Sequence, residues 1–459
     1  MKIERMVSNG LSHYSYVLED KGEAAVIDPG RDVWRYIDKA EEMGARIRYI
    51  IETHRHEDFV SGGVELWEKT GAPVLHGGAL DFGYGEDVKD GDSLRLGSMI
   101  LRILETPGHT DESITVVVRE NDDSEMDIMA FTGDLIFFGD LGRVDLYGED
   151  MRRDNAKKMF KSVQNKIRPL GDQLILLPAH GQGSVCGGAI ESRDMSTLGY
   201  EIGNSPLLNV DEKEFLDIKG AESMEVPPYF SRMEVLNRNG PPLLTEPRRM
   251  RAMDMEQFLE LHDQGAQILD VRDPLAFSSG HIPGSLNIWL KGLPAFGGWF
   301  LDYDKPIILI DNDCTRTDEA WKDLIRLGYD NIKGYLSQGF SGYTNLGKEV
   351  AMASMVDIEG FKGITSGSED FILDVRDRDS WERDGHIKGA ERIYVGYLSA
   401  RLDEVPRDRK VIIYCDSGYK TGIAASLLLL NGFQQVKLLH GGMNAWRRAG
   451  LPVENGSGE

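Results

Sequence analysis

Four short apolar runs in the first 180 residues each end in a histidine or an aspartate flanked by turn residues. Arg46 to Glu52 leads into Thr53-His54-Arg55-His56-Glu57-Asp58-Phe59, and Ile100 to Glu105 leads into Thr106-Pro107-Gly108-His109. Ile128 to Phe131 leads into Thr132-Gly133-Asp134, and Leu174 to Leu177 leads into Pro178-Ala179-His180-Gly181. Imidazoles and carboxylates are the donors that hold zinc, iron and related divalent metals. A strand end fixes such a donor in place while the loop after it leaves room for a ligand. One histidine at a strand end reads as structural; this ordered series points to a metal centre. A second candidate lies far downstream. The apolar run Val411 to Tyr414 ends in Cys415-Asp416-Ser417-Gly418-Tyr419-Lys420-Thr421, followed by a helical run from Gly422 to Leu430. A thiol between a strand end and a helix start faces backbone N–H groups and the positive end of the helix dipole. Both are expected to lower its pKa and favour the thiolate, and the same nest can hold the outer sulfur of a persulfide.

The elements that must position these groups alternate along the chain. His13 to Glu19, Ala24 to Asp28, Arg46 to Thr53 and Ile100 to Glu105 read as strands, whereas Val33 to Met43 and Met151 to Ile167 have helical apolar spacing. An α/β fold class follows. A Pro- and Gly-rich stretch, Asn237 to Pro247, reads as a linker. Beyond it the sequence repeats itself: Ile268-Leu269-Asp270-Val271-Arg272-Asp273 returns as Ile372-Leu373-Asp374-Val375-Arg376-Asp377, and His281-Ile282-Pro283-Gly284 returns as His386-Ile387-Lys388-Gly389. A period near one hundred residues is too long for a solenoid, so two copies of a small α/β domain are expected. The expected division is 1–235, a linker at 236–250, and domains at 251–352 and 353–459.

Acidic residues number 76 against 52 basic ones, for a formal charge of −24. That field repels phosphate backbones and anionic lipid, so neither nucleic acid nor membrane is expected as a partner. The absence of an eighteen-residue apolar run, and of a signal-peptide core after Met1, gives cytoplasmic as the expected location. Three cysteines, Cys186, Cys314 and Cys415, are too few and too scattered for a disulfide framework.

The ordered His/Asp series resembles the metallo-β-lactamase fold family: H-x-H-x-D-H, then Gly-His, Gly-Asp and Pro-Ala-His. The resemblance covers about the first 200 residues and implies an αββα sandwich with the site at one edge of its sheets. Members holding two metals have a histidine where this chain has Phe59, and a phenyl ring has no lone pair to give. A mononuclear centre of two imidazoles and one carboxylate remains, the set that leaves open positions on Fe(II). The chain resembles the persulfide dioxygenases of this fold, which implies one Fe(II) per chain on His54, His109 and Asp134. Spacing alone does not choose between His54 and His56; the resemblance does. It places His56, Asp58 and His180 beside the metal as hydrogen-bond partners. Gly142-Arg143-Val144-Asp145 also matches these dioxygenases, with an Arg143–carboxylate brace favoured over substrate contact as its role. The segment from Pro178 to Cys186 looks like one found where a dioxygenase is fused to rhodaneses; Cys186 is read either as a thiol near the substrate or as a buried inert one.

The Cys415 loop resembles the rhodanese sulfurtransferase loop C-x-x-G-x-R, with Lys420 where arginine is usual. Lysine keeps the charge but not the bidentate fork. In the first repeat, the 104-residue offset sets Asp311 opposite Cys415 and Cys314 opposite Gly418. A carboxylate cannot carry a persulfide, so this copy is expected to be inactive. The resemblances together imply oxidation of low-molecular-weight persulfides by O2 to sulfite, coupled to sulfur transfer that forms or uses thiosulfate, in a homo-oligomer. The alternatives are a thioester hydrolase of the glyoxalase II type and a non-catalytic sulfur carrier.

Overall fold

The computed structural model describes all residues except 125, 223, 245–248, 366–369 and 456–459, and only the backbone of 363–365. The chain divides into two compact units, Met1–Thr245 with Ile325–Gly328, and Glu246–Leu324 with Tyr329–Glu459.

In the first unit, six strands pair in chain order: β1 (Lys2–Ser8), β2 (His13–Asp20), β3 (Glu23–Ile27), β4 (Arg46–Ile51), β5 (Val74–Gly77) and β6 (Glu86–Val88). Six more form a second sheet: β7 (Ser93–Leu96), β8 (Met99–Glu105), β9 (Ile114–Arg119), β10 (Asp127–Gly133), β11 (Ile175–Pro178) and β12 (Ser196–Thr197). Period-2 alternation explains the layering. Leu18, Ala25 and Ile27 pack with Ile103, Val116, Val118 and Phe131 from the other sheet. Their chain neighbours Val17, Ala24 and Val26 turn the other way, to Tyr36 and Leu66 on the helices Trp34–Glu42 and Gly63–Thr70. Across the second sheet Val117, Ala130 and Leu176 meet Met159 and Phe215 from the helices Glu149–Ser162 and Glu212–Ala221. Both sheets are thus buried on both faces, the αββα sandwich that the sequence implies. Each fully buried aliphatic side chain contributes about 1.5–3 kcal/mol, so the two-sided burial dominates the stability of the unit.

The strands read from sequence lie within two residues of those observed. The helix read as Met151 to Ile167 begins at Glu149, is α-helical to Ser162 and continues as a π turn, Val163–Ile167. Phe230–Asn239 is helical and enters the stretch read as a linker, whose residues 245–248 lie outside the described residues.

The second unit holds two five-stranded sheets. The first has the order β13 (Ala252–Met253), β17 (Ile332–Leu336), β16 (Ile307–Ile310), β14 (Gln267–Asp270) and β15 (Ser285–Asn287). The second repeats it as β18 (Ser354–Val356), β22 (Val436–Leu439), β21 (Val411–Tyr414), β19 (Phe371–Asp374) and β20 (Ala390–Arg392). All pairings in both are parallel. Continuous apolar strands such as Ile307–Ile310 and Val411–Tyr414 suit sheets covered on both faces. The repeated Asp-Val-Arg is a buried ion pair. Arg272 Nη2 lies 2.6 Å from Asp270 and 2.8 Å from the Gly280 carbonyl, and Arg376 makes the same two contacts, at the same distances, to Asp374 and Gly385. The motif therefore ties β14 and β19 to the turn before the repeated histidine, which is a structural role.

Candidate metal centre and cysteine loop

Strands β4, β8, β10 and β11 bring His54, His109, Asp134 and His180 to one buried cluster. His109 Nε2 lies 3.4 Å and His54 Nε2 3.7 Å from Asp134 Oδ2. All three atoms are buried without a hydrogen-bond partner. With bonds of about 2.1 Å, neighbouring donors around a metal stand roughly 3.0–3.4 Å apart, close to what is seen. The opposite edges of the two rings are committed elsewhere. His109 Nδ1 lies 2.9 Å from the Arg143 carbonyl, which can only accept, so Nδ1 carries the proton and Nε2 offers a lone pair. His54 Nδ1 lies 3.0 Å from Thr53 Oγ1, whose own proton goes to Asp28 Oδ2 at 2.9 Å; His54 therefore also presents a bare Nε2. Asp134 Oδ1 is 2.8 Å from His180 Nδ1, leaving Oδ2 free.

Charge makes the same case. Glu57 Oε2, also unpartnered, is 3.6 Å from His109 Nε2. Burial opposes a proton on His109, but Glu57 and Asp134 outweigh it and raise its pKa. A buried site with two unpartnered carboxylate oxygens facing two imidazole lone pairs suits a cation, and a divalent metal fits it. Burial likewise opposes charge on His180; Asp134 and Asp58 prevail and lift its pKa well above the ordinary value. His180 Nε2 is 3.0 Å from Asp58 Oδ2, so this ring bridges two carboxylates with both nitrogens. His56 sits at φ 50°, with Nε2 3.1 Å from Asp28 Oδ1, turned to a carboxylate other than Asp134. That left-handed backbone is costly for a residue with a Cβ, and Asn237 Nδ2, donating to the His56 carbonyl at 2.7 Å, helps to hold it. Gly133 (φ 52°) has no such latitude for substitution: a Cβ there would come within 2.6 Å of Thr53 Oγ1.

Phe59 is fully buried beside the cluster, with its ring centroid 4.5 Å from that of His56 and 4.0 Å from that of His13. Arg143 closes a bidentate pair with Asp145 at 2.6 and 2.9 Å, and its N–H donates to the Cys186 carbonyl at 2.9 Å. One residue thus orients His109 and tethers Cys186. The Cys186 sulfur lies within 4.8 Å of donor atoms of Asp58 and His180, and equally of His109 and Asp134. Burial, with Asp58 and Asp134 adding, pushes this thiol up. Sequence reasoning did not single out Asp28, Glu57 or His13. Glu57 lay inside the histidine motif; Asp28 and His13 carry no motif signal.

Cys415 follows β21 at the carboxyl end of its sheet, where open parallel sheets place their ligands. The Gly418 N–H points at its sulfur, 3.1 Å away. Lys420 reaches Asp377 at 3.2 Å and Asp416 at 3.6 Å. The expected fall in thiol pKa is not what this environment gives. Burial pushes the Cys415 thiol up, and Lys420 with the Gly418 and Ser417 N–H groups opposes this only in part. Local sequence shows the nest but not the desolvation of a side chain that is 1% exposed. In the first repeat, Arg316 Nη2 donates to Asp311 Oδ1 at 2.6 Å, and Cys314 Sγ turns to the Leu336 carbonyl, 3.3 Å away.

Residues 8–180 match the metallo-beta-lactamase superfamily, and residues 254–346 and 361–449 match the rhodanese-like domain. The chain belongs to the metallo-β-lactamase superfamily, fused to two rhodanese-like domains. The persulfide dioxygenase ETHE1 of Homo sapiens mitochondria is 30% identical over 222 residues, 47% of this chain and 78% of its own length. Its Mus musculus counterpart is 32% identical over 213 residues, 45% and 75% respectively. Hydroxyacylglutathione hydrolase GloC of Haemophilus influenzae is 27% identical over 220 residues, 42% of this chain and 92% of its own. A crystal structure of a metallo-beta-lactamase from Staphylococcus aureus subsp. aureus COL matches 73% of this chain and 99% of its own, at a TM-score of 0.65 and 32% identity. Among the described residues no helix is long and apolar enough to cross a membrane.

Proposed function

We propose that this fusion protein oxidises low-molecular-weight persulfides with O2 at one Fe(II) held by His54, His109 and Asp134, and that Cys415 transfers sulfane sulfur. The observation that carries the reading is the convergence of three unpartnered buried donors beside a phenyl ring, Phe59, where a second metal would need an imidazole. His54, His109 and Asp134 would hold the iron, which would bring persulfide and dioxygen together and mediate electron transfer from sulfur to O2. The protein holds those positions in shape. His180, kept protonated between Asp134 and Asp58, fixes which carboxylate oxygen faces the metal, while the Arg143 carbonyl and Thr53 fix the two imidazoles. Asp58 and His56 stand beside them, and in this reading the Cys186 thiol contacts the sulfur end of the substrate.

The net oxidation is RSSH + O2 + H2O → RSH + SO3²⁻ + 2H⁺. At the cysteine loop, the Cys415 thiolate attacks the outer sulfur of a second persulfide. One S–S bond forms, another breaks, and the departing thiolate takes the proton. Attack by sulfite on the loaded cysteine returns the thiolate and yields thiosulfate. Because burial holds the free thiol up, the N–H of Gly418 and the Lys420 charge serve the persulfide anion more than the resting thiol. The second reading, a thioester hydrolase, is favoured by the similarity to GloC and needs a second metal. Metal analysis with an oxygen-electrode assay separates the two. One iron per chain and persulfide-dependent O2 uptake support the dioxygenase; two metals per chain with hydrolysis of a glutathione thioester and no O2 uptake reject it.

A further inference from the structure

The rhodanese-like repeat without a nucleophile retains the loop of the one that has it. Cys314 adopts φ 62° where its counterpart Gly418 has φ 98°, although a side chain makes that conformation costly. The Asp311 carbonyl accepts from the Phe340 N–H at 3.0 Å, as the Cys415 carbonyl accepts from the Met443 N–H at 2.8 Å. The two changes that matter chemically are paired. Asp311 takes the place of Cys415, and at the same offset Arg316 takes the place of Lys420. Asp311 is 1% exposed and binds Arg316 at two points, the guanidinium at 2.6 Å and the backbone N–H at 3.3 Å. The Arg316 side chain nevertheless remains 34% exposed.

It is exposed to a shared cavity. A space of about 650 Å³ has Cys415, Tyr419 and Lys420 on one side, and Trp289, Lys291 and Arg316 of the first repeat on the other. Trp289 and Tyr419 approach across it, their ring centroids 5.3 Å apart. Asp273, Glu319 and Asp416 also line it, so the cations Lys291, Arg316 and Lys420 alternate with carboxylates rather than forming one positive wall. Lys420, the cation nearest the sulfur in sequence, is engaged by Asp377 and Asp416. A guanidinium anchored on one side and open on the other presents its remaining N–H donors to a planar or tetrahedral oxyanion.

Resting on the sulfurtransferase reading of Cys415, we propose that the nucleophile-free repeat is half of its substrate site: Arg316, held by Asp311, binds the oxyanion of the sulfur compound that reacts with Cys415. The shared chemistry is a sulfane sulfur carried by a molecule bearing a sulfonate or carboxylate. The volume admits an organic thiol persulfide as well as thiosulfate. Arg316 is a specificity-determining residue here, and Asp311 acts through it as a positioning residue.

The test uses the full-length iron-loaded protein, its Arg316→Gln, Arg316→Lys and Asp311→Asn variants, and three sulfur donors: thiosulfate, glutathione persulfide and the neutral 2-mercaptoethanol persulfide. Cys415 persulfide is read by mass spectrometry and steady-state transfer by KM and kcat. Arg316→Gln should raise KM about tenfold or more for the oxyanion-bearing donors, with kcat changed less than about threefold and the neutral donor unaffected. Arg316→Lys should recover part of the loss, and Asp311→Asn should raise the same KM values by a smaller factor. A rise with thiosulfate alone, or with glutathione persulfide alone, identifies which oxyanion is bound. Unchanged KM for both oxyanion donors overturns the proposal, as does an equal loss with the neutral donor, which would mark a merely structural role. If the parent protein loads Cys415 from none of the three, the sulfurtransferase reading itself falls, a result distinct from loading that ignores Arg316.

Discussion

Replacing Asp28 by asparagine tests whether the carboxylate behind the histidine motif sets the metal ligands. Asp28 is buried just after β3. Its Oδ1 accepts from the Thr53 N–H at 2.7 Å and stands 3.1 Å from His56 Nε2, while Oδ2 accepts the Thr53 hydroxyl at 2.9 Å. That last bond forces Thr53 Oγ1 to act as acceptor for His54 Nδ1–H, which leaves His54 Nε2 deprotonated toward Asp134. Asparagine keeps the shape but puts an NH2 against either Thr53 or His56. One charge-assisted hydrogen bond becomes a donor–donor contact, at a cost of about 1.5–3 kcal/mol. Loss of an outer partner of a ligating histidine lowers metal affinity about 10–100-fold, equivalent to about 1.4–2.8 kcal/mol, so the two estimates agree. Asp28→Asn should therefore bind Fe(II) about 10–100-fold more weakly in chelator competition. Its near-UV circular dichroism should be native, and excess Fe(II) should restore most of the O2 uptake. Iron affinity within about twofold of the parent would refute the argument that Asp28 acts on His54 through Thr53.

Cys415→Ser should abolish thiosulfate formation while leaving persulfide-dependent O2 uptake within about twofold, so that sulfite accumulates in its place; ion chromatography of the products decides. Phe59→His should raise the zinc bound per chain from one toward two, read by elemental analysis after loading with excess metal, because it supplies the missing imidazole next to Asp58 and His180. Asp377 caps the helix Arg378–Asp384 through the Ser380 N–H and pairs with Lys420; burial alone would raise its carboxyl, but these partners hold it at about 2 instead of the usual 3.8. The folded-state value is the lower one, so its contribution is fully present above pH 3.8 and lost as pH falls toward 2. Discounted for partial exposure it is about 1–2 kcal/mol, and the stability gap between the parent and Asp377→Asn in urea should shrink by roughly half between pH 7 and pH 3. A gap independent of pH would show that the cap, not the charge, is what matters.

Why some of this was legible in the sequence and some was not has a physical basis. Strand-end donors announce themselves because each needs an apolar run before it and turn residues after it, and His54, His109, Asp134 and His180 all met that pattern. The two-domain repeat was legible because a buried Asp-Arg pair must recur with its turn and its histidine, as Asp270–Arg272 and Asp374–Arg376 do. Asp28 was silent because a single aspartate after a strand is ordinary; only folding shows that it collects Thr53 and His56. His13 carries no motif either, yet it is fully buried against Phe59 and is held neutral chiefly by burial. The Cys415 thiol was misjudged in direction because N–H groups and a helix start can be read from local sequence, whereas burial depends on everything packed around the loop.

The fate of the first repeat follows from the same electrostatics that make the second one useful. A loop that turns its N–H groups inward lowers the energy of any anion seated there, whether a persulfide sulfur or a carboxylate. Exchanging cysteine for aspartate at position 311 therefore puts a charge where the backbone already favours one. Burying that charge at 1% exposure still needs a counter-ion, and a lysine's single ammonium is a poorer match for a carboxylate than a guanidinium. The Asp311–Arg316 pairing meets that need within the loop itself, five residues apart. Once formed, the pair cannot accept sulfur, but the guanidinium N–H groups that Asp311 does not use remain for an oxyanion. The first loop thus holds a fixed cation beside the cavity, whereas the Cys415 loop, with Gly418 N–H aimed at a thiol whose pKa burial raises, gains its full anionic partner when a persulfide forms.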